Sequence, residues 1–174
     1  LKWTSSTNNR GGMCNFTIPH GTGEKYYFEY VQNAFNGPTD GDSAFIGINV
    51  QSVDIDGSRG GYGTSYCYVA DSGKKVEGTT TQVTYGSAWG AGDVIGVAID
   101  RENDTINFAK NNTFQGTFSI PATTEFSPWF GHGGGTNSAN GVFNFGQDSS
   151  FAGHKTSGSS NAADENGYGN FYRL

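Results

Sequence analysis

Apolar residues in this chain recur with a period of two, in short runs that turn formers separate. Over residues 25–32 (KYYFEYVQ), one face carries aromatic side chains from Tyr26 to Tyr30, which is the alternation of a β-strand. Turn formers fill residues 37–42, and the next apolar run covers residues 45–50. Gly, Ser, Thr and Asn interrupt every window in which apolar residues would line up at helical spacing. The pattern predicts an all-β fold.

The most apolar stretch, residues 94–99 (VIGVAI), is apolar on both faces. Ile95, Val97 and Ile99 would share one face, and smaller residues would occupy the other. A strand of this kind is covered on both sides, so we expect it near the centre of a sheet. The polar residues 100–104 would then turn the chain.

The remaining strand-like runs are also short, and no helical pattern separates them. Such spacing is typical of antiparallel sheets packed face to face or closed into a barrel. A core of few large side chains between many turns also fits a chain that is 34% hydrophobic and 14% aromatic, with 28 Gly. The further predicted strands are residues 62–69, 82–85, 105–109, 114–120, 127–132 and 142–145.

A shift in composition near the end divides the chain. Over residues 156–169 Ser, Asn, Gly and Ala dominate, as in flexible segments. The prediction is a β-sandwich over residues 1–155 and a C-terminal surface arm or linker over residues 156–174. Because the first residue is Leu rather than Met, we expect a processed product or a piece of a longer protein.

Charge and hydropathy exclude two classes of partner. The formal net charge is −6, with only 10 Lys and Arg, which argues against a surface that follows nucleic-acid phosphates. No apolar run approaches the roughly 18 residues of a membrane span, and no segment at the start has the pattern of a secretory signal. We therefore expect neither nucleic-acid binding nor membrane insertion.

Metal and cofactor sites find little support in the sequence. The three histidines show no ligand spacing, and Cys14 and Cys67 lie far apart, so zinc is not expected. Buried thiols are favoured for the two cysteines, and a disulfide stays open. Asp40, Asp42 and the acids of residues 54–56 could meet at a cation, although solvated acidic turns are favoured. The prediction is no metal and no cofactor.

The central run and the hairpin after it match a family pattern. Residues 89–100 (WGAGDVIGVAID) and 105–112 (TINFAKNN) resemble the SPRY domain, in which a Trp precedes G-D-V-I-G and F-x-K-N-G closes the next hairpin. Asn112 stands where the family has Gly, a position that Asn tolerates because it enters left-handed backbone conformations more easily than most residues.

Three more segments resemble SPRY strands in the same order. Residues 23–30 (GEKYYFEY) are similar to G-K-W-Y-F-E-V, with Tyr26 in place of Trp, residues 45–48 (FIGI) to S-x-x-I-G-I, and residues 142–146 (VFNFG) to V-x-x-N-F-G. The resemblance implies a bent antiparallel β-sandwich of the concanavalin-like, jelly-roll kind. It also implies a non-catalytic role in which loops at one edge bind a protein or a carbohydrate.

The C-terminal residues 164–172 (DENGYGNFY) are similar to SPRY domains in structural proteins of tailed bacteriophages. This resemblance implies a viral structural protein located in the virion: a tail fibre, spike or capsid-attached appendage. Its partners would be host-surface glycans or other virion proteins, and it could form a homo-oligomer there. The alternative is a cellular SPRY adaptor that binds a short peptide of a protein partner.

An enzyme is the third and least favoured reading. Glycoside hydrolysis needs two carboxylates within reach of one bond, whereas the acids here lie mainly in turns. The mid-strand carboxylate of Glu29 is expected to satisfy neighbouring polar groups. The HGGG string of residues 132–135 would need a nucleophile elbow that the sequence lacks. No catalytic residue is predicted.

The candidates for partner binding lie in loops. Residues 58–63 (SRGGYG) place Arg59 and Tyr62 among glycines, and these residue types are enriched at binding hot spots. The other candidates are Asp40 and Asp42 in residues 37–42 and His132 in residues 131–140. The large rings of Trp89 and Trp129, by contrast, are expected in the core.

Overall fold

The computed structural model describes residues 2–5, 10–36, 44–53, 55, 61–133, 138–148, 150–151, 153, 155, 162–163 and 170–171. These residues form antiparallel strands and one short 3-10 helix, Tyr62–Thr64, so the all-β prediction is confirmed. The described strands are β1 (Lys2–Ser5), β2 (Arg10–Met13), β3 (Lys25–Asn36), β4 (Phe45–Val50), β5 (Tyr66–Val69), β6 (Lys74–Glu77), β7 (Gln82–Thr84), β8 (Val94–Asp100), β9 (Thr105–Lys110), β10 (Thr113–Ser119), β11 (Phe126–His132), β12 (Ser138–Asn144), β13 (Ala162–Ala163) and β14 (Asn170–Phe171).

Two six-stranded sheets make the sandwich. Sheet A has the order β1-β12-β3-β8-β9-β10, and sheet B has the order β2-β11-β4-β5-β6-β7. Strands β13 and β14 pair with each other in a separate two-stranded sheet, the C-terminal hairpin. Nothing in the described part of the chain is a helix long and apolar enough to cross a bilayer.

The main core lies between the two sheets. Ile95, Val97 and Ile99 of β8 are almost fully buried there with Ile46 and Ile48 of β4. β8 lies between β3 and β9, so the apolar run occupies the central position that the sequence predicts. Burial of these side chains is the main favourable contribution to folding.

Each sheet is also covered on its outer face. On sheet A, Phe151 is buried against Val31, Val94 and Val142. On sheet B, Trp129 and its neighbours form a second cluster. The chain after β12 therefore returns over sheet A, which explains why both faces of β8 are apolar.

The turn after β8 contains a buried cation. Arg101 is 2% exposed, and its guanidinium forms an ion pair of 3.2 Å with Asp104. It also donates hydrogen bonds to four backbone carbonyl oxygens, those of Pro19, Pro121, Ala122 and Thr124, at 3.0, 3.3, 3.4 and 3.1 Å. Arg101 therefore joins two loops to the end of sheet A, where the sequence indicates no more than a polar turn.

Some elements differ from the prediction. β2 and β6 carry Gly or Lys instead of apolar alternation, so their sequences gave no strand signal. The run predicted as one strand over residues 62–69 is a 3-10 helix followed by β5. Strands pair through backbone hydrogen bonds. A segment of low β-propensity can therefore form a strand when a neighbouring strand pairs with it.

Candidate partner-binding surface

The strand ends that flank two connections between the sheets lie at the same end of the sandwich. Residues 37–43 connect β3 to β4, and residues 133–137 connect β11 to β12. In the strand register Gly131 pairs with Phe45, and Ser138 pairs with Asn36. The strand ends that flank both connections are therefore neighbours. We call this end of the sandwich the loop end.

Backbone hydrogen bonds form a base beneath the loop end. Ala44, directly after residues 37–43, accepts a hydrogen bond of 2.9 Å from the N–H of Ala70, and the Ala70 carbonyl accepts one of 2.8 Å from the N–H of Trp89. The Trp89 ring is 3% exposed and packs against Tyr30 and Tyr68 at centroid distances of 6.1 and 6.0 Å. Trp89 and Trp129 are both core residues, as predicted.

A polar network fixes the neighbouring turns at the loop end. The Asp93 carboxylate accepts hydrogen bonds of 2.7 Å from Asn111 Nδ2 and 3.0 Å from the Gly90 N–H, and Lys110 Nζ lies 3.2 Å away. The Asn111 side chain in turn accepts a hydrogen bond of 2.9 Å from the Val94 N–H. Asp93, the acid of the G-D-V-I-G motif, thus contacts Lys110 and Asn111 of the next hairpin. These contacts give the two motifs a structural role.

The electrostatics of Asp93 follow from these contacts. Burial alone would raise the pKa of its carboxyl group, but the hydrogen bonds from Asn111 and the other donors outweigh burial and hold the pKa below its usual value. Hydrogen bonds to the charged form favour that form. Asp93 is therefore ionised at neutral pH and holds the turn closed.

Of the two left-handed residues in this hairpin, Asn112 is the one expected from the sequence. Asn111 and Asn112 have φ of 47° and 65°, a region that Asn enters at less cost than most residues. Asn112 therefore takes the conformation that the family pattern gives to Gly.

The predicted binding residues at the loop end differ in what the structure shows. Asp40 and Asp42 lie outside the described residues, in the connection from β3 to β4. His132, the last residue of β11, is 0% exposed, and burial lowers its pKa. The imidazole is therefore not accessible in this structure, and a contact of His132 with a partner stays a prediction.

The structure describes only one member of the other predicted pair. Arg59 lies outside the described residues, but Tyr62 is 3% exposed, and its ring lies 4.7 Å from that of Phe45. Tyr62 therefore covers the outer face of sheet B and does not stand exposed in the loop, and its role in partner binding stays a prediction. A glycine-rich neighbourhood suggested a flexible loop, whereas the ring is held by a cluster whose members are distant in sequence.

Other polar groups singled out in the sequence have structural contacts. Glu29 is 1% exposed and accepts hydrogen bonds of 3.2 Å from the Tyr27 hydroxyl and 3.0 Å from Asn144 Nδ2. Such satisfaction of a buried carboxylate is what the sequence predicts. Within the described ranges, no group of three or more His, Cys, Asp or Glu side chains could hold a metal ion.

The two cysteines are free and buried, as favoured from the sequence. Burial raises the pKa of Cys14 to about 11 and that of Cys67 to about 12. The thiolate is the reactive form, so neither sulfur is reactive at neutral pH.

Two antiparallel six-stranded sheets packed face to face define the class of β-sandwich domains. Residues 25–148 match the sequence model of the SPRY domain, and the chain belongs to the SPRY family. No curated protein matches the chain.

Solved structures agree with this family. The SPRY domain of human HERC1 is 17% identical and superposes with a TM-score of 0.63, covering 83% of this chain and 94% of that one. A second human SPRY domain is 22% identical with a TM-score of 0.58, covering 78% of this chain and 83% of that one. At these identities the likeness shows the fold.

Proposed function

We propose that this chain binds a protein partner through the loop end, without catalysis. SPRY domains are non-catalytic protein-binding modules, and the observation that supports the loop end is its geometry. Two connections between the sheets, which include Asp40 and Asp42, start from adjacent strand ends above the base of Ala44, Ala70 and Trp89. Loops held on a rigid base can vary and bind while the scaffold stays folded.

The finer proposal, a bacteriophage virion protein that attaches to other virion proteins or host glycans, depends on the resemblance of residues 164–172 alone. Most of these residues lie outside the described part of the chain. Its test is the reading frame around this domain, in which other virion modules would support the proposal and adaptor domains would overturn it.

Selection of peptides from a random display library tests the protein-binding proposal. We expect selected peptides to protect the amides of residues 70–73 and 88–93 from hydrogen exchange, because those turns flank the loop end. Asp40→Ala with Asp42→Ala should weaken the binding of these peptides. The matched control is Asp54→Ala with Asp56→Ala, since these acids have the same spacing in the connection from the opposite end of β4.

Three results would count against the proposal. Peptides that protect the turn at residues 100–104 would place binding at the opposite end of the sandwich. Equal loss in both double variants would show a nonspecific effect of charge. A glycan array that gives ligands while the peptide library gives none would replace the protein partner with a carbohydrate.

A further inference from the structure

A groove crosses the outer face of sheet A, away from the loop end. Tyr27, Ala98, Asn107 and Thr117 form a row across four strands, because each pairs with the next in the register. The groove has a volume of about 410 Å³, which lies within the roughly 300–1,000 Å³ of small-ligand sites. Ala98 leaves room in the middle of the row because its side chain is small.

Two exposed aromatic rings border the groove. Phe114 on β10 is 68% exposed, and Tyr27 on β3 is 40% exposed although the Phe171 ring contacts it edge-on. The Tyr27 ring lies over Gly96, where an added Cβ would come within 2.5 Å of the hydroxyl oxygen, and this hydroxyl donates a hydrogen bond to Glu29. The groove thus offers one ring that is held against the sheet and one ring that projects into solvent.

Apart from Phe114, the lining from β9 and β10 is polar and uncharged. It consists of Thr105, Asn107 and Thr117, and Asn107 Nδ2 donates a hydrogen bond of 3.1 Å to Thr117 Oγ1. The other end of that amide, Oδ1, is buried and has no hydrogen-bond partner among the described residues. An unpaired buried acceptor costs free energy, so a ligand that donates a hydrogen bond to Asn107 gains affinity.

The two charged side chains in the lining neutralise each other. Lys25 Nζ lies 3.2 Å from the Asp100 carboxylate and 3.7 Å from that of Glu102. A charged ligand therefore gains no unpaired counter-charge from the lining. A purely apolar ligand would cover Asn107 and leave its amide oxygen unpaired. The lining fits a neutral ligand that carries both apolar surface and hydroxyl groups.

We propose that this groove binds a neutral saccharide. The apolar face of a pyranose ring stacks on Phe114 or Tyr27, and its hydroxyl groups form hydrogen bonds with Asn107 and Thr117. The terminal torsion of an Asn side chain is broad, so a turn of the amide brings Oδ1 to a sugar hydroxyl while β9 stays in place. This site is separate from the loop end, so saccharide binding goes beyond the protein binding proposed above.

A glycan array followed by titration calorimetry tests the proposal. The probes are neutral oligosaccharides of glucose, mannose, galactose and N-acetylglucosamine, with sulfated and uronic-acid oligosaccharides as the charged comparison. We expect a neutral oligosaccharide to bind and Phe114→Ala to weaken its binding at least about tenfold, because the stacking ring is lost. Phe114→Trp should retain the affinity, since it keeps an aromatic face. Asn107→Ala should also weaken the binding of this oligosaccharide.

The matched control is Val83→Ala, which removes a side chain that is 45% exposed on the edge strand of sheet B and should leave saccharide binding unchanged. Hydrogen exchange locates the bound sugar. We expect protection of the amides of residues 113–119, whereas protection of residues 88–93 would place the sugar at the loop end and overturn the proposal.

Three other results would also overturn it: no neutral oligosaccharide binds, the charged oligosaccharides bind more tightly than the neutral ones, or binding keeps its strength in Phe114→Ala. Because Phe114 is 68% exposed, this variant should keep the melting temperature of the parent. If Asn107→Ala fails to fold, Phe114→Ala alone decides the question.

Discussion

Replacing Arg101 by Ala should destabilise the domain far more than its position in a polar turn suggests. The guanidinium is buried, paired with Asp104 at 3.2 Å and bonded to four carbonyl oxygens. The Asp104 side chain is 26% exposed and stays partly solvated, so the cost comes mainly from the carbonyl oxygens. Hydrogen bonds from a charged group contribute about 1.5–3 kcal/mol each, and losing them together gives roughly 3–5 kcal/mol. We expect a loss of this size in the free energy of unfolding.

Urea denaturation followed by tryptophan fluorescence measures the effect, because Trp89 and Trp129 are buried. Arg101→Lys should have an intermediate effect, since an ammonium group keeps the charge but lacks the planar set of five donors. The control is Glu102→Ala on the neighbouring exposed residue, which should change stability by no more than about 0.5 kcal/mol. A loss below about 1 kcal/mol for Arg101→Ala would refute the reasoning.

Three further predictions concern the core, the Asp93 network and the cover of sheet B. Ile99→Ala should destabilise the domain by about 2–5 kcal/mol in the same assay, because the side chain is 1% exposed in the centre of the core; a loss near zero would show that β8 is misplaced. Asp93 has a folded pKa below its unfolded value, so its stabilisation is present above the unfolded pKa and is lost as pH falls through the folded pKa. Thermal melts should therefore show a smaller acid-induced loss in Asp93→Asn than in the parent, and equal slopes in the acidic range would contradict this. Tyr62→Ala should cost about 3–5 kcal/mol, as for other buried aromatic rings, and Arg59→Ala tests binding by the same loop without removing that ring; an unchanged melting temperature in Tyr62→Ala would mean that the ring is not part of the core.

The central strands could be predicted because each carries its own signal. The run of Val94 to Ile99 is apolar on both faces, and residues 25–32 alternate aromatic side chains, so both patterns specify strands without knowledge of the partners. The positions of Trp89 and Glu29 were predictable from their motifs for the same reason. These signals are local in sequence, so they can be interpreted when the rest of the fold is unknown.

The features that the sequence did not predict depend on contacts between residues that are distant in sequence. Arg101 has the composition of a solvated turn, and only the approach of residues 19 and 121–124 reveals that its guanidinium is buried. Tyr62 stands among glycines, so its contact with Phe45 could not be read from its neighbours.

The base of the loop end has a consequence for how this domain can change. The bonds that join Ala44, Ala70 and Trp89 run between backbone atoms, so they do not depend on which side chains the connections above them carry. Residues 37–43 and 133–137 could therefore diverge in sequence and length while the strand ends keep their positions. The same property makes this end of the sandwich a suitable place to graft or randomise loops when new binding specificities are selected.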